Sequence, residues 1–530
     1  MPAIKKEDFI QSIADGFQFI SYYHPLDYVE AVAKAYEREE NPAAKDAIAQ
    51  ILTNSRMCAE GHRPICQDTG IAVVFLEIGQ DVRWDTDMTI EEMVNEGVRQ
   101  AYTGVDDNLL RASILMDPAG KRNNSGDNAP AVIHYEMVAG DKVEVTVAAK
   151  GGGSENKAKL AMLNPSDDIV EWVLKTVPTL GAGWCPPGVL GIGIGGTPEK
   201  AMYMAKKSLM APVNIQELMD RGPNSTAEEL RLELFEKVNA LGIGAQGLGG
   251  LTTVVDVKVL DMPTHAASKP VGLAPNCAAN RHVHFTLDGT GAADLTPPPL
   301  SAWPDIGWKP SKEAKSVDLG NLSKEEVATW KQGDRLLLNG KILTGRDAAH
   351  KRIQSLYESG EGLPEGVDFT DRVIYYVGPV DPVGTEAVGP AGPTTATRMD
   401  KFTEMMLDQG LLAMIGKAES FVDRHGSWAV LASRTIVSPL GPYVGFVGAA
   451  AGMTWMRFTL PAIFGAANWS AGYAGLGYAF ADRIADIATL LGNLAGAIIA
   501  LALVAGSGAW LYRVAKARQL AQTTAEHSKV

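Results

Sequence analysis

Apolar residues recur at helical spacing over residues 5–16, 27–54, 89–102, 199–209 and 226–241, and this period of about 3.6 predicts amphipathic helices there. Between them, residues 71–78, 131–137 and 142–149 are short runs rich in β-branched or aromatic side chains, which predict strands. The proline-rich stretch 295–310, LTPPPLSAWPDIGWKP, can continue neither a helix nor a central strand and predicts a linker. Beyond it, residues 323–330, 348–360, 373–377 and 398–408 predict a smaller α/β unit. The pattern then changes. Residues 435–456, 458–481 and 487–512 are runs of 22, 24 and 26 residues without a charge. Each is long enough to cross a bilayer, which takes about 20 apolar residues. Pro439, Gly441 and Pro442 interrupt the first, predicting a re-entrant or broken segment. The other two predict a helical hairpin, with an acidic connector at 482–486 and a basic flank of Arg513, Lys516 and Arg518. By the positive-inside rule the C-terminus is then cytoplasmic, and residues 1–420 lie on the same side.

Composition narrows the function. Against 62 acidic side chains stand 48 basic ones, a net charge of -14 over 530 residues, which disfavours a nucleic-acid binder resting on phosphate neutralisation. Small anions must then be held by local basic groups. Four cysteines are too few for a disulfide scaffold, and MPAIKKEDFI lacks the apolar region of a signal peptide, so the bulk of the chain is expected in the cytoplasm.

Cys58, Cys66, Cys185 and Cys277 form no C-x-x-C pair, so spacing alone supports neither a zinc ribbon nor a ferredoxin-type cluster. Their surroundings say more. Cys66 lies in RPICQDTG, Cys185 in GWCPPG and Cys277 in APNCAANRH, turn-rich settings where a thiolate can face a cavity. Three such cysteines suit a [4Fe-4S] cluster with one iron lacking a protein ligand, a Lewis acid able to bind a substrate hydroxyl and carboxylate. The glycine runs 151–153 and 191–196 follow neither phosphate-loop pattern, and predict close backbone approach to cluster or substrate.

In order, RPICQDTG, AKGGGSENK, GWCPPGVLGIGIGGT, GIGAQGLGG, HAASKPVGLAPNCAANRH, GRDAAHKR and GPTTATRMD with a later GK pair resemble the iron-sulfur (class I) fumarate hydratases and the related tartrate dehydratases. The resemblance covers residues 1 to about 419 and implies a lyase. It also implies an α+β N-terminal domain (1–294), a linker (295–330) and a smaller, truncated α/β C-terminal domain of swivelling type (331–420). Residues 421–530 would form a transmembrane α-helical tail. Cys66, Cys185 and Cys277 match the cluster ligands, whereas Cys58 matches a position that is not a ligand. Asp68 and His265 match residues beside the open iron that exchange the proton of water. Gln67, Arg111, Gly152, Arg346, Thr394, Thr395, Arg398 and Lys417 match positions that hold a four-carbon dicarboxylate, and Thr394 also matches a candidate base for the C3 proton of malate. A homodimer is implied as well.

The tail resembles the C-terminal half of DedA-type membrane proteins, through Ser433-Arg434, Pro439, Ala451-Gly452-Met453, Phe458, Gly465-Ala466, Trp469 and Gly477-Tyr478. Two accounts follow. One is a fumarase-type hydro-lyase whose catalytic part is cytoplasmic and anchored to the inner membrane. The other is an inactive, membrane-associated fusion remnant. Tartrate or mesaconate are alternative substrates within the first.

Overall fold

Where the sequence predicts one helix over 27–54, the chain makes two. The computed structural model describes residues 2–417 other than 106, 107, 332, 365 and 395. After α1 (Lys6–Tyr22) come α2 (Leu26–Arg38) and α3 (Pro42–Gly61). The break falls where Asn41 accepts hydrogen bonds from the Ala43 and Ala44 N–H groups and Pro42 occupies the first helical turn, where a missing N–H costs nothing.

The strands follow the expected positions closely. They are β1 (Ile71–Gly79), β2 (Val132–Val138), reached through α4 (Ile90–Thr103), and β3 (Val143–Lys150). Further along come β4 (Lys159–Leu163), β5 (Gly188–Gly196), α5 (Pro198–Ser208), α6 (Thr226–Ala240), β6 (Val254–Thr264), β7 (Lys269–Pro275) and β8 (His282–Leu287). Two four-stranded mixed sheets result, ordered β8-β3-β1-β2 and β4-β7-β5-β6. In β1 the period of two divides the side chains cleanly. Ala72, Val74, Leu76 and Ile78 join the core beneath α1 and α4, while Val73 and Phe75 join another with α2, α3, Val189 of β5 and Ala274 of β7. The opposite face of the second sheet, with Leu190, Ile192, Val257 and Leu273, packs against Leu234 and Val238 of α6.

The glycine run of β5 departs from expectation. A Cβ on Gly191 would sit 2.1 Å from the Ala205 carbonyl oxygen, and one on Gly193 2.0 Å from that of Ala201, so these glycines let α5 lie against the sheet. They serve helix packing; the run 151–153 serves the site.

The proline-rich stretch is strapped down. Trp303 is buried and donates through Nε1 to Ser55 Oγ at 2.9 Å, and Trp308 Nε1 donates to Asp46 at 2.8 Å, both on α3. The strand Lys315–Asp318 already pairs in parallel with Leu336–Asn339, and Val317 and Leu319 share a core with Val373 and Leu412, so the second domain's structure begins inside the expected linker. Its other sheet is wholly parallel, with order β9 (Leu343–Thr344), β10 (Val373–Tyr375), β11 (Ala413–Ile415), and α7 (Asp347–Ser359) crosses between the first two. Over 398–408 the chain makes short 3-10 turns before a helix at Thr403–Asp408. The expected membrane tail, 421–530, lies outside the described residues; among the described residues no helix is long and apolar enough to cross a membrane.

Candidate active site

Both sheets of the first domain deliver their motif loops to related ends. Ile71, at the start of β1, pairs with Lys150 at the end of β3, and His282 opens β8 opposite Ala148. The Cys66 loop, the 151–153 glycines and Arg281 therefore share one edge of the first sheet. In the second, Cys185 precedes β5 and Cys277 follows β7, whose antiparallel pairing sets Leu190 against Pro275. The Ala278 N–H donates to the Cys185 carbonyl at 2.9 Å, tying these loops together.

Cys66, Cys185 and Cys277 are half-buried thiols, none in a disulfide. Burial pushes the Cys66 thiol up to about 12, with the Arg281 charge the strongest opposing influence and Cys277 and Asp68 also acting on it. Burial likewise raises Cys185, against the pull of Lys417, with Cys277 again within reach. The Asp68 N–H points at Cys66 Sγ, 3.4 Å away. Asp68 itself is held at both oxygens, by the Gly70 N–H (3.1 Å) and the Gly152 N–H (2.7 Å). The glycine run makes this possible: a Cβ on Gly151 would lie 3.2 Å from the Asp68 carboxylate, and one on Gly153 2.9 Å from the Gly183 carbonyl.

The second domain closes on this edge through backbone and cation contacts. Gln67 Nε2 donates to the Gly392 carbonyl at 2.8 Å. Arg111 donates to the carbonyls of Gln67, Gly378 and Pro379, at 2.8, 3.0 and 2.8 Å, so its fork clasps the two domains together. Arg346 lies against Gly378 and occupies the N-cap position of α7 without a side-chain capping bond. Arg398 donates to Thr394 Oγ1 and lies 3.6 Å from Asp347. Lys417 pairs its backbone with Thr394 and reaches Cys185 Sγ at 3.3 Å and Gln246 Oε1 at 2.9 Å. Thr395 lies outside the described residues.

His265 is placed elsewhere. It is exposed in the turn between β6 and β7, its Nδ1 accepting from the Ala267 N–H. Cys277 follows the other end of β7, whose 7 residues span roughly 20 Å at about 3.3 Å per residue. Within one chain the fold does not bring His265 to the cysteines.

Three residues join the site without having been expected there. Gln246, with φ of 53°, donates to the Pro186 carbonyl at 2.7 Å and accepts from Lys417. Buried Lys150 donates to the Pro275 carbonyl at 2.7 Å and to Asn276 and Ser154. Arg281 is buried, yet its Nε and Nη2 have no partner among the described residues. The signal was a polar side chain inside a glycine or apolar run, as in GAQGLGG and VTVAAKGGG.

The donor set fits a thiolate-bound iron-sulfur cluster. Among the described residues no three acidic, histidine or cysteine side chains close on a single ion, and a multi-iron cluster held at three corners needs its thiols farther apart than ligands of one ion. An orphaned buried guanidinium beside them asks for an anion, which three thiolates around such a core supply.

The profile described as fumarate hydratase (fumerase) matches residues 10–286, and that described as fumarase C-terminus matches 289–454. The second match runs past residue 420 into the first charge-free run. The chain is 32% identical to the anaerobic class I fumarate hydratase of Escherichia coli (strain K12) over 442 residues, covering 78% of this chain and 79% of that protein. To the aerobic class I fumarate hydratase of the same strain it is 34% identical over 413 residues, 74% of each. A putative L(+)-tartrate dehydratase subunit alpha of Methanocaldococcus jannaschii is 37% identical over 276 residues, 51% of this chain and 94% of that protein.

Proposed function

The chain belongs to the class I fumarate hydratase family, and from that premise we propose that it catalyses the reversible hydration of fumarate to (S)-malate. The observation that carries the reading is the gathering of Cys66, Cys185 and Cys277 around Asp68 and Lys417, with cations from both domains. Cys66, Cys185 and Cys277 hold the [4Fe-4S] cluster, which supplies a Lewis acid that makes hydroxide a better leaving group. Asp68, fixed at both oxygens by backbone N–H groups, exchanges the proton of the attacking or departing water. Thr394 takes the C3 proton of malate as its alkoxide, which the Arg398 guanidinium bonded to its oxygen stabilises, and becomes the neutral hydroxyl. Arg346, Arg398 and Lys417, with Thr395 and Gln67, hold the two carboxylates, Gly152 acts through Asp68, to which its N–H donates, and Arg111 fixes the loops that carry them. His265 acts, in this reading, from the second copy of a homodimer; what supports that is its exposed position far from its own chain's cysteines. Specificity constants for malate, tartrate and mesaconate test the substrate: malate should lead, and a higher value for tartrate would reassign the chain to the dehydratases.

Residues 458–481 and 487–512 support attachment to a membrane, with the catalytic part on the cytoplasmic side. The run 435–456 overlaps the matched C-terminal profile and is not part of this proposal. Carbonate extraction of membranes tests it: the full chain should stay in the pellet, and release into the supernatant would refute a spanning tail.

A further inference from the structure

Arg281 is only 4% exposed, and its Nε and Nη2 lack partners among the described residues. A guanidinium keeps its charge at any physiological pH, so burying one with open donors is costly unless an anion meets it. Its backbone is fixed. The Arg281 carbonyl accepts from the Ala149 N–H at 3.0 Å as β8 starts to pair with β3, and the preceding Asn280 N–H closes the Cys277 turn at 3.0 Å. Nη2 lies 3.8 Å from where a Cβ on Gly151 would stand, on the side of the glycine run that also faces Asp68.

Neighbouring cations are otherwise engaged. Lys150 spends its ammonium on Pro275, Asn276 and Ser154, and Lys417 donates to Cys185 and Gln246, which leaves one N–H for the substrate. The Asp68 oxygens are taken by Gly70 and Gly152. Arg111, Arg346 and Arg398, assigned above to the substrate side, are all exposed, where a soluble dicarboxylate can arrive; Arg281 is buried.

We propose that Arg281 is the charge-compensating positioning residue of the iron-sulfur centre, its Nε–H and Nη2–H donating to sulfur along the edge formed by Cys66 and Cys277. The proposal rests on the reading of Cys66, Cys185 and Cys277 as cluster ligands. In it the guanidinium offsets the net negative charge of three thiolates and their core, which stabilises the reduced cluster and slows its loss. Removing it weakens the centre without touching the substrate clamp.

The test compares the unmodified full chain with Arg281→Met and Arg281→Lys after anaerobic reconstitution with ferrous iron and sulfide. Iron per chain, cluster lifetime in air, the reduction midpoint followed by electron paramagnetic resonance, and KM for malate are read together. Arg281→Met should lose its cluster in air about tenfold or more faster, the scale found when partners behind metal ligands are removed. Its midpoint should move to lower potential, with KM within about twofold of the unmodified value. Arg281→Lys keeps the charge but not the two-point donor geometry, so it should lie between the two; if Arg281→Met fails to fold, this variant decides. Variants matching the unmodified chain in lifetime and midpoint would overturn the proposal. So would a KM raised tenfold with an unaltered cluster, which would place Arg281 on the substrate carboxylate. An unmodified chain that takes up no iron would instead overturn the underlying cluster reading.

Discussion

Cys58 and Cys66 border the same small apolar cluster, yet their thiols meet different surroundings. Cys58 is 1% exposed and its thiol faces the Pro64 carbonyl at 3.6 Å. Cys66 receives the Asp68 N–H and stands within reach of Cys277 and Arg281. Serine in place of Cys66, Cys185 or Cys277 should therefore abolish bound iron after anaerobic reconstitution, while Cys58→Ser should retain it. Full iron in any of the first three would remove that cysteine from the ligand set. Arg398 makes a sharper test of the clamp. Lysine preserves its charge but cannot hold Thr394 and a carboxylate from one planar fork, so Arg398→Lys should lower kcat/KM for malate by about 10- to 100-fold, or about 1.5–3 kcal/mol. Unchanged efficiency would take Arg398 out of the site.

At the level of elements, the periodicities of β1 and α4 were readable because each buries one regular set of positions, and both fall within a residue or so of expectation. The expected single helix over 27–54 is two helices, because its apolar spacing carries across a break that only Asn41 and Pro42 announce. Glycine in β5 was harder still. From sequence, a strand without side chains signals an approach by something, and that something is α5, a neighbour no local pattern reveals. Gly193→Ala should consequently act on stability, with no direct effect on the site. A methyl 2.0 Å from the Ala201 carbonyl forces α5 outward and should cost about 1–3 kcal/mol. Thermal unfolding checks this, and an unchanged Tm would show that the helix yields freely.

For the molecule as a whole, the site is an assembly of loops from both domains. The Arg111 clasp, the Gln67–Gly392 bond, the Arg63–Glu386 ion pair at 2.5 Å and the Lys417–Cys185 contact all cross between them. Periodicity could not predict such crossings; the motifs could only say that their residues share a function. Arg398, Thr394 and Lys417, named by the same resemblance as His265, lie close together, whereas His265 stands at the far end of β7. Arg281 and Gln246, both inside quoted motifs, needed burial and partner geometry to be seen. The net charge of -14 is likewise compatible with an anionic substrate only because this assembly concentrates arginine and lysine locally. The most direct measurement is iron content and malate-to-fumarate conversion on the same anaerobically reconstituted full chain, before and after exposure to air. A cluster bound by Cys66, Cys185 and Cys277 predicts conversion that rises with iron and disappears with it in air. Conversion by iron-free protein, or an iron-loaded chain that converts no malate, would contradict the account.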